Sequence, residues 1–394
     1  MNLAFVLFKY FPFGGMQRNM LAIAKACVAR NHTVTIVCSE WQGEKLDSVQ
    51  VEIFPIGGWN NGLQMENFYN KFRDYKKSQR FDLVVGFNKF PELDAYYAAD
   101  SCFAKKTFEE SSWLAKFTKR SKIYLEYESA VYASAAEGNK GTQILEVSSS
   151  ERPIYRKYYN TEAERFHLLP PGISKDRIVF DSKLKNKNEV RRELSVSADA
   201  TVFIAVGSGF KTKGLDRSLQ LLADWINKHD TNSYLIVVGQ DRPFSTRRFK
   251  KLAEKLSITK HVKFLGGRDD VPRLLQGADV LLHPAYKENT GNVLLEAMLA
   301  GTPVVASAAC GYAHYLEGAE MGEVVMNPFS PSSFLSAVEK IMAVNTSVWQ
   351  QRAARLATNE ELFSRPQRVV DLLELFQDTL QINNGLETAQ ATLS

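Results

Sequence analysis

Short apolar runs without polar alternation recur along this chain, separated by segments whose apolar positions repeat at helical spacing. Asn2–Phe8 and Thr33–Cys38 are the first two runs, and Met16–Arg30 between them carries Met16, Met20, Ile23, Ala24 and Cys27 on one face. That strand–helix–strand opening predicts a doubly wound α/β domain, whose parallel strands are buried on both faces. Further strands are expected at Asp82–Phe87, along the aromatic run Asp94–Ala99 that leads to Asp100, and at Gln143–Val147. Ser149–Tyr159 reads as a helix, and Phe103–Glu128 is basic, aromatic and helical in period. His167 to Gly172, with Pro170-Pro171-Gly172 at its end, reads as a stiff extended linker between domains.

A second α/β series follows a basic stretch, Lys183–Asn188, expected to be a surface loop. Its strands are predicted at Val202–Val206, Tyr234–Val238, Val262–Leu265, Val280–His283, Pro303–Ala306 and Glu323–Met326. Helices alternate with them at Leu215–Lys228, Arg248–Leu256, Val271–Gly277, Val293–Ala300 and Pro331–Ala343. Trp349–Thr358 and a terminal helix, Gln367–Ile382, close the pattern, and the polar tail from Asn383 is expected to be disordered. The length of 394 residues fits two such domains.

Composition changes the picture little. The net charge of +5 is too mild to point to nucleic acid. Four scattered cysteines lack metal-ligand spacing and read as reduced thiols. The apolar run Leu3–Phe8 is too short for a signal peptide or a membrane span, so a cytoplasmic protein is expected.

The chemistry concentrates at His283–Met298. Glu288 and Glu296 stand eight positions apart, one in a strand-to-helix loop and one inside the helix. Between them Asn289-Thr290-Gly291 presents backbone N–H groups at a helix N-terminus, which suits an anionic or hydroxyl-rich ligand. The same residues also describe a capped helix with two surface glutamates, and the stretch alone leaves both open. Other glycine-bearing turns lie where α/β sheets bind ligands: Gly14-Gly15, Gly207-Ser208-Gly209, Gly239-Gln240 and Gly266-Gly267-Arg268. None is the dinucleotide pattern G-x-G-x-x-G.

Taken together, several stretches resemble the GT-B glycosyltransferases of family four, in the branch that adds glucose to the lipopolysaccharide core. They are Lys9–Gly15 with Gln17-Arg18, Val85–Lys89, Leu168–Ile173, Lys213-Gly214, Asp216–Ser218, Val237–Gln240, Leu282–Tyr286, Cys310–Tyr315 and the E-x7-E pair itself. The resemblance fades only after about Asn345. It implies two Rossmann-like domains facing a cleft: an acceptor-side domain over 1–170, with helix 367–382 packing back on it, and a nucleotide-sugar domain over 171–360. It also implies a retaining transfer of glucose from UDP-glucose to a heptose of the lipopolysaccharide inner core. Another nucleotide-sugar donor, or a binding module without catalysis, are the alternatives.

The resemblance assigns residues to these roles. Lys213 meets the donor diphosphate, with Lys211 carrying part of the charge that relatives place on an arginine, since Thr212 stands beside Lys213 here. Gly14, Gly15, Gly172, Ile173, Ser208, Thr212 and Gly239 fall on the donor side, and Arg268 borders the nucleobase. Glu288 holds hydroxyls of the donor sugar, Glu296 the ribose, and Thr290, Gly291, Asn292 and Val293 surround the sugar and pyrophosphate. Asn19 replaces an aspartate of close relatives and is limited to hydrogen bonding. Many relatives carry a first-domain histidine, whereas this chain has none between His32 and His167, and Asp100 is expected to face the acceptor hydroxyl. No metal or other cofactor is expected, because the Asp-x-Asp pair of metal-dependent transferases is missing and fixed cations replace it. Finally, Trp113–Leu125 reads as one basic amphipathic helix, with Trp113 and Phe117 among its apolar positions and Lys116, Lys119, Arg120 and Lys122 beside them. That pattern, with a lipid acceptor, implies docking on the anionic cytoplasmic face of the inner membrane.

Overall fold

The computed structural model describes residues 1–12, 14–57, 60–111, 113–137, 141–175 and 183–393. It divides into two compact units, Met1–Gly172 with Ser364–Ser394, and Ile173–Phe363. Each is built on one all-parallel sheet.

The first sheet has seven strands in the spatial order Gln50–Ile53, Thr33–Cys38, Asn2–Val6, Leu83–Gly86, Ala95–Ala98, Gln143–Glu146 and Phe166–Leu168. Strand order therefore reverses beside Asn2–Val6, where Leu3 pairs with Val34 on one side and Leu83 on the other. Leu3, Ala4, Phe5 and Val6 are all buried, which explains their unbroken apolar run. Gln50–Ile53 and the helix Asn61–Ser78 escape the sequence pattern, because Glu52 and the lysine-rich helix surface mask their apolar faces. Phe166–Leu168 is a sheet-edge strand rather than linker: Phe166 pairs with Ile144 before the prolines begin.

The terminal helix runs Arg365–Leu393. Val369, Val370, Leu373 and Phe376 join the core beneath helix Gly15–Ala29. Arg30 pairs with Asp371 at 2.6 Å and with Glu374 at 2.9 Å, and His32 reaches Glu374 at 2.9 Å. Past Asn383, where a disordered tail is expected, the backbone stays helical, in keeping with its good helix formers Leu386, Glu387, Ala389 and Gln390.

The second sheet has six strands in the order Val262–Gly266, Ser233–Val238, Thr201–Val206, Val280–His283, Val304–Ser307 and Gly322–Val325. Order reverses between Thr201–Val206 and Val280–His283, which pair directly (Phe203 with Val280, Ile204 with Leu281). Lys183–Glu193 is a helix, not the expected loop. Its polar sequence hides two buried anchors: Val190, and Arg191, whose guanidinium bonds the carbonyls of Ala198 and Ala200 and the Asp279 carboxylate. The short helix Ala313–Gly318 was likewise not anticipated.

Candidate active site

In open α/β sheets ligands collect at the carboxyl ends of strands where strand order reverses. In the second unit that place lies between Val206 and His283, and the turns leaving both strands meet there. Lys213 leaves the first of these turns and its ammonium pairs with Glu288 Oε2. His283, the last residue of its strand, puts Nε2 3.1 Å from the same oxygen. The Glu288 backbone is fixed too, in a parallel bridge with Cys310 and a 3.1 Å bond from Gly311 N to Glu288 O. Gly214 adopts φ 73°, and a Cβ there would lie 2.1 Å from the Pro284 carbonyl oxygen, so glycine alone brings the Lys213 turn this close.

Burial pushes the Glu288 carboxyl up, but the His283 hydrogen bond and the Lys213 charge outweigh it and hold it down at about 2. Glu288 is thus an acceptor-only carboxylate, which requires His283 Nε2 to carry the hydrogen. His283, 1 % exposed, ends the strand expected at Val280–His283; its pairing with Glu288 could not be read from spacing alone. Gly291 caps helix Asn292–Leu299 at φ 95°. Next to it Asn292 Oδ1 is buried with no hydrogen-bond donor, a standing acceptor at the helix N-terminus. Thr290 contributes its carbonyl to Tyr312 N at 2.8 Å, and Val293 and Glu296 are half-buried along the same helix.

Other expected donor residues are placed less directly. Lys211 does not join Lys213 on Glu288; it lines a separate cavity with Arg248 and Lys251. Ser208 and Thr212 are exposed on the turn, and Thr212 O accepts from Tyr286 N at 2.9 Å. Gly239 N bonds Gly266 O at 2.8 Å, tying two strand ends together. Arg268 is committed within its own unit, to Asp270 at 2.8 Å and Glu193 at 3.2 Å. Ile173 has its side chain in the core and its N–H on Leu362 O, which leaves only its carbonyl for a ligand. Gly172 lies against Arg365, a buried cation that bonds Pro170 O and the Tyr97 hydroxyl.

In the first unit Gly14 caps helix Gly15–Ala29, Gly15 is exposed at its start and Asn19 is half-buried on its second turn. Asp100 follows strand Ala95–Ala98. Its residue surface is exposed, yet its carboxyl is closely walled: burial raises its pKa, the Lys89 charge opposes that, and Glu128 adds to it. Glu128 was not anticipated. Wholly buried, it pairs with Lys89 and accepts from Phe103 N at 2.7 Å, Ala104 N at 2.8 Å and the Tyr159 hydroxyl at 2.9 Å. Lys89 also bonds Ser101 O, and the Tyr155 hydroxyl bonds Asp100 O, so this cluster holds the two carbonyls that leave Asp100 toward the following helix.

The basic segment is not one helix. A 3-10 turn, Trp113–Phe117, precedes helix Lys119–Tyr132, and Thr118 separates them by accepting from Ser121 N at 3.1 Å as an N-cap. The second helix buries Ile123, Tyr127 and Val131. Leu114 and Phe117 remain 60 % and 66 % exposed, with Lys119, Arg120 and Lys122 exposed nearby and the Lys116 ammonium over the Phe108 ring.

Residues 13–177 match the model of Glycosyltransferase Family 4, and residues 186–361 that of Glycosyl transferases group 1. The lipopolysaccharide glucosyltransferase WaaG of Escherichia coli K12 is 38 % identical over 95 % of this chain and 98 % of its own length. The chain is a family 4 glycosyltransferase. A crystal structure of WaaG, a glycosyltransferase involved in lipopolysaccharide biosynthesis, superposes on this glycosyltransferase with a TM-score of 0.85 at 37 % identity, covering 94 % of this chain and 99 % of that one. HepE of Anabaena, solved in complex with UDP and glucose, shares the GT-B fold at a TM-score of 0.72 and 18 % identity, over 95 % of this chain and 99 % of its own. In this glycosyltransferase the E-x7-E pair opens at Glu288, the carboxylate that Lys213 and His283 hold.

Proposed function

We propose that this glycosyltransferase moves glucose from UDP-glucose, with retention, to a heptose of the lipopolysaccharide inner core. The observation that carries the reading is the Lys213–Glu288–His283 constellation at the reversal point of a sheet, in a chain 38 % identical to WaaG over nearly its whole length. A departing diphosphate needs fixed positive charge where its own charge develops, and Lys213 with the N-terminus of helix Asn292–Leu299 supplies it. Glu288 and Asn292 Oδ1 are acceptors suited to sugar hydroxyls. When Lys213 turns from Glu288 to phosphate, the His283 hydrogen bond keeps the carboxylate in place for the sugar. Asp100 is the group assigned to the acceptor hydroxyl, and no metal is required.

Transfer of radiolabel from a panel of nucleotide sugars to core-truncated lipopolysaccharide tests the reading. Label from UDP-glucose alone, undiminished by EDTA, is the expected result. Transfer from another donor, dependence on added Mg²⁺, or UDP binding without transfer would each replace it.

Attachment to the anionic inner-membrane surface belongs to the same proposal. Exposed Leu114 and Phe117 beside Lys116, Lys119, Arg120 and Lys122 form a surface of the kind that enters a lipid headgroup layer. Among the described residues no helix is long and apolar enough to cross a membrane.

A further inference from the structure

A second cavity of about 500 Å³ opens on the second unit, on helix Pro243–Lys255 and the turns at Lys211 and Tyr286. Its volume is in the range of small-molecule sites. Arg248, Lys251 and Lys255 line it from one stripe of the helix, at spacings of three and four residues, and Lys211 faces them. Like charges so spaced repel and weaken a helix. Among the described residues none of the four forms an ion pair, and all four are exposed to the cavity and solvent. The carboxylate lining the cavity is Asp216. Its Oδ2 accepts from the Tyr286 hydroxyl at 2.7 Å, while Oδ1 is buried without any donor.

Four uncommitted cations beside one carboxylate oxygen that lacks a donor ask for a ligand that is anionic at one end and hydroxylated at the other. We propose that this cavity binds a phosphomonoester carried on a saccharide, its phosphate on the cations and a neighbouring hydroxyl donating to Asp216 Oδ1. Inorganic phosphate satisfies only the first half. The donor diphosphate is served elsewhere, by Lys213, whose ammonium is directed to Glu288. The phosphate belongs either to a free sugar phosphate or to a phosphorylated saccharide chain, and both present the same chemistry.

Calorimetric titration of the full chain with glucose 6-phosphate, inorganic phosphate and a singly phosphorylated mannopentaose tests the site. Both sugar phosphates are expected to bind, the tighter one identifying the source. The triple variant Arg248→Ser/Lys251→Ser/Lys255→Ser should weaken them roughly tenfold or more, as loss of charge-assisted bonds does, and leave UDP affinity unaltered. Asp216→Asn should weaken the sugar phosphates while leaving inorganic phosphate unchanged or tighter. Absence of binding by the wild-type chain, undiminished affinity in the triple variant, or displacement of glucose 6-phosphate by UDP overturns the assignment. An Asp216→Asn variant that treats sugar phosphate and inorganic phosphate alike overturns its saccharide half.

Discussion

His283 Nε2 lies 3.1 Å from Glu288 Oε2, the same oxygen that the Lys213 ammonium holds. One carboxylate oxygen therefore has two donors, of which only the lysine is free to swing away. Substitutions of the two charged partners should affect UDP affinity differently. With Lys213 on the donor diphosphate as proposed, Lys213→Ala should weaken UDP about 10- to 100-fold, the range of 1.5–3 kcal/mol. Glu288→Gln releases Lys213 from its competitor and should leave UDP equally or more tightly bound, while kcat falls about 100-fold. Titration with UDP showing equal losses in both variants would sink this division of labour.

The two carboxylates assigned to chemistry titrate on opposite sides of their ordinary values. Glu288, held at about 2, stays ionised across any working pH. Asp100 is shifted upward by burial, so it is the one that protonates first on acidification. The acid limb of the kcat profile should therefore belong to Asp100, with its midpoint above the ordinary aspartate value of 3.8. Asp100→Asn should flatten that limb as well as lower the rate; an unchanged acid limb in this variant would show that another group sets it.

The depressed Glu288 carboxyl also contributes to stability with a definite sign. Its contribution is complete above the unfolded value of 4.5 and is lost as pH falls toward about 2. The shift corresponds to at most about 3 kcal/mol. Urea unfolding of the wild type and Glu288→Gln should differ near neutrality, differ less as pH falls below 4.5, and converge only below about pH 2. A difference that persists undiminished into acid would mean that the pair adds nothing through ionisation.

Glu128 and Lys89 form a buried ion pair in the first unit, and removing one charge strands the other. Glu128→Gln should cost about 3–5 kcal/mol, visible as a large fall in melting temperature. Adding Lys89→Met should restore part of the loss. Strictly additive losses in the double variant would deny the coupling.

Reversing Lys116, Lys119, Arg120 and Lys122 to glutamate should abolish sedimentation with anionic vesicles while UDP binding persists. Each basic residue near such a surface is worth about 1 kcal/mol at ordinary salt. Vesicle binding that survives the reversal and ignores salt would make the segment a structural element only.

Both sheets were legible because parallel strands buried on two faces leave unbroken apolar runs, and Thr33–Cys38 and Val280–His283 appear where those runs stand. Helix Lys183–Glu193 was not, because its hold on the unit comes from Val190 and the buried guanidinium of Arg191 rather than from an apolar stripe. The break at Thr118 shows the converse. Helical period ran straight through it, and a single capping hydroxyl decided the boundary. At the site, Lys213 and Glu288 could be named from the sequence, but their pairing depends on two neighbouring strands and on Gly214 against Pro284. Glu128 could not be named at all: standing two residues after the exposed Glu126, it carries no sign in the sequence that it is the one to be buried.

The terminal helix bears on how the chain comes into being. The core of the first unit needs Val369, Val370, Leu373 and Phe376, yet about 190 residues of the second unit are made before them. At roughly 5–20 residues per second, the ribosome delivers that last helix some 10–40 s after Gly172. Throughout that interval the face of helix Gly15–Ala29 that it covers lies bare, and the contiguous second unit is fully made before that helix emerges. The order of synthesis is thus the reverse of the order of completion, and a nascent chain stalled before Arg365 would present that face to whatever chaperone attends it.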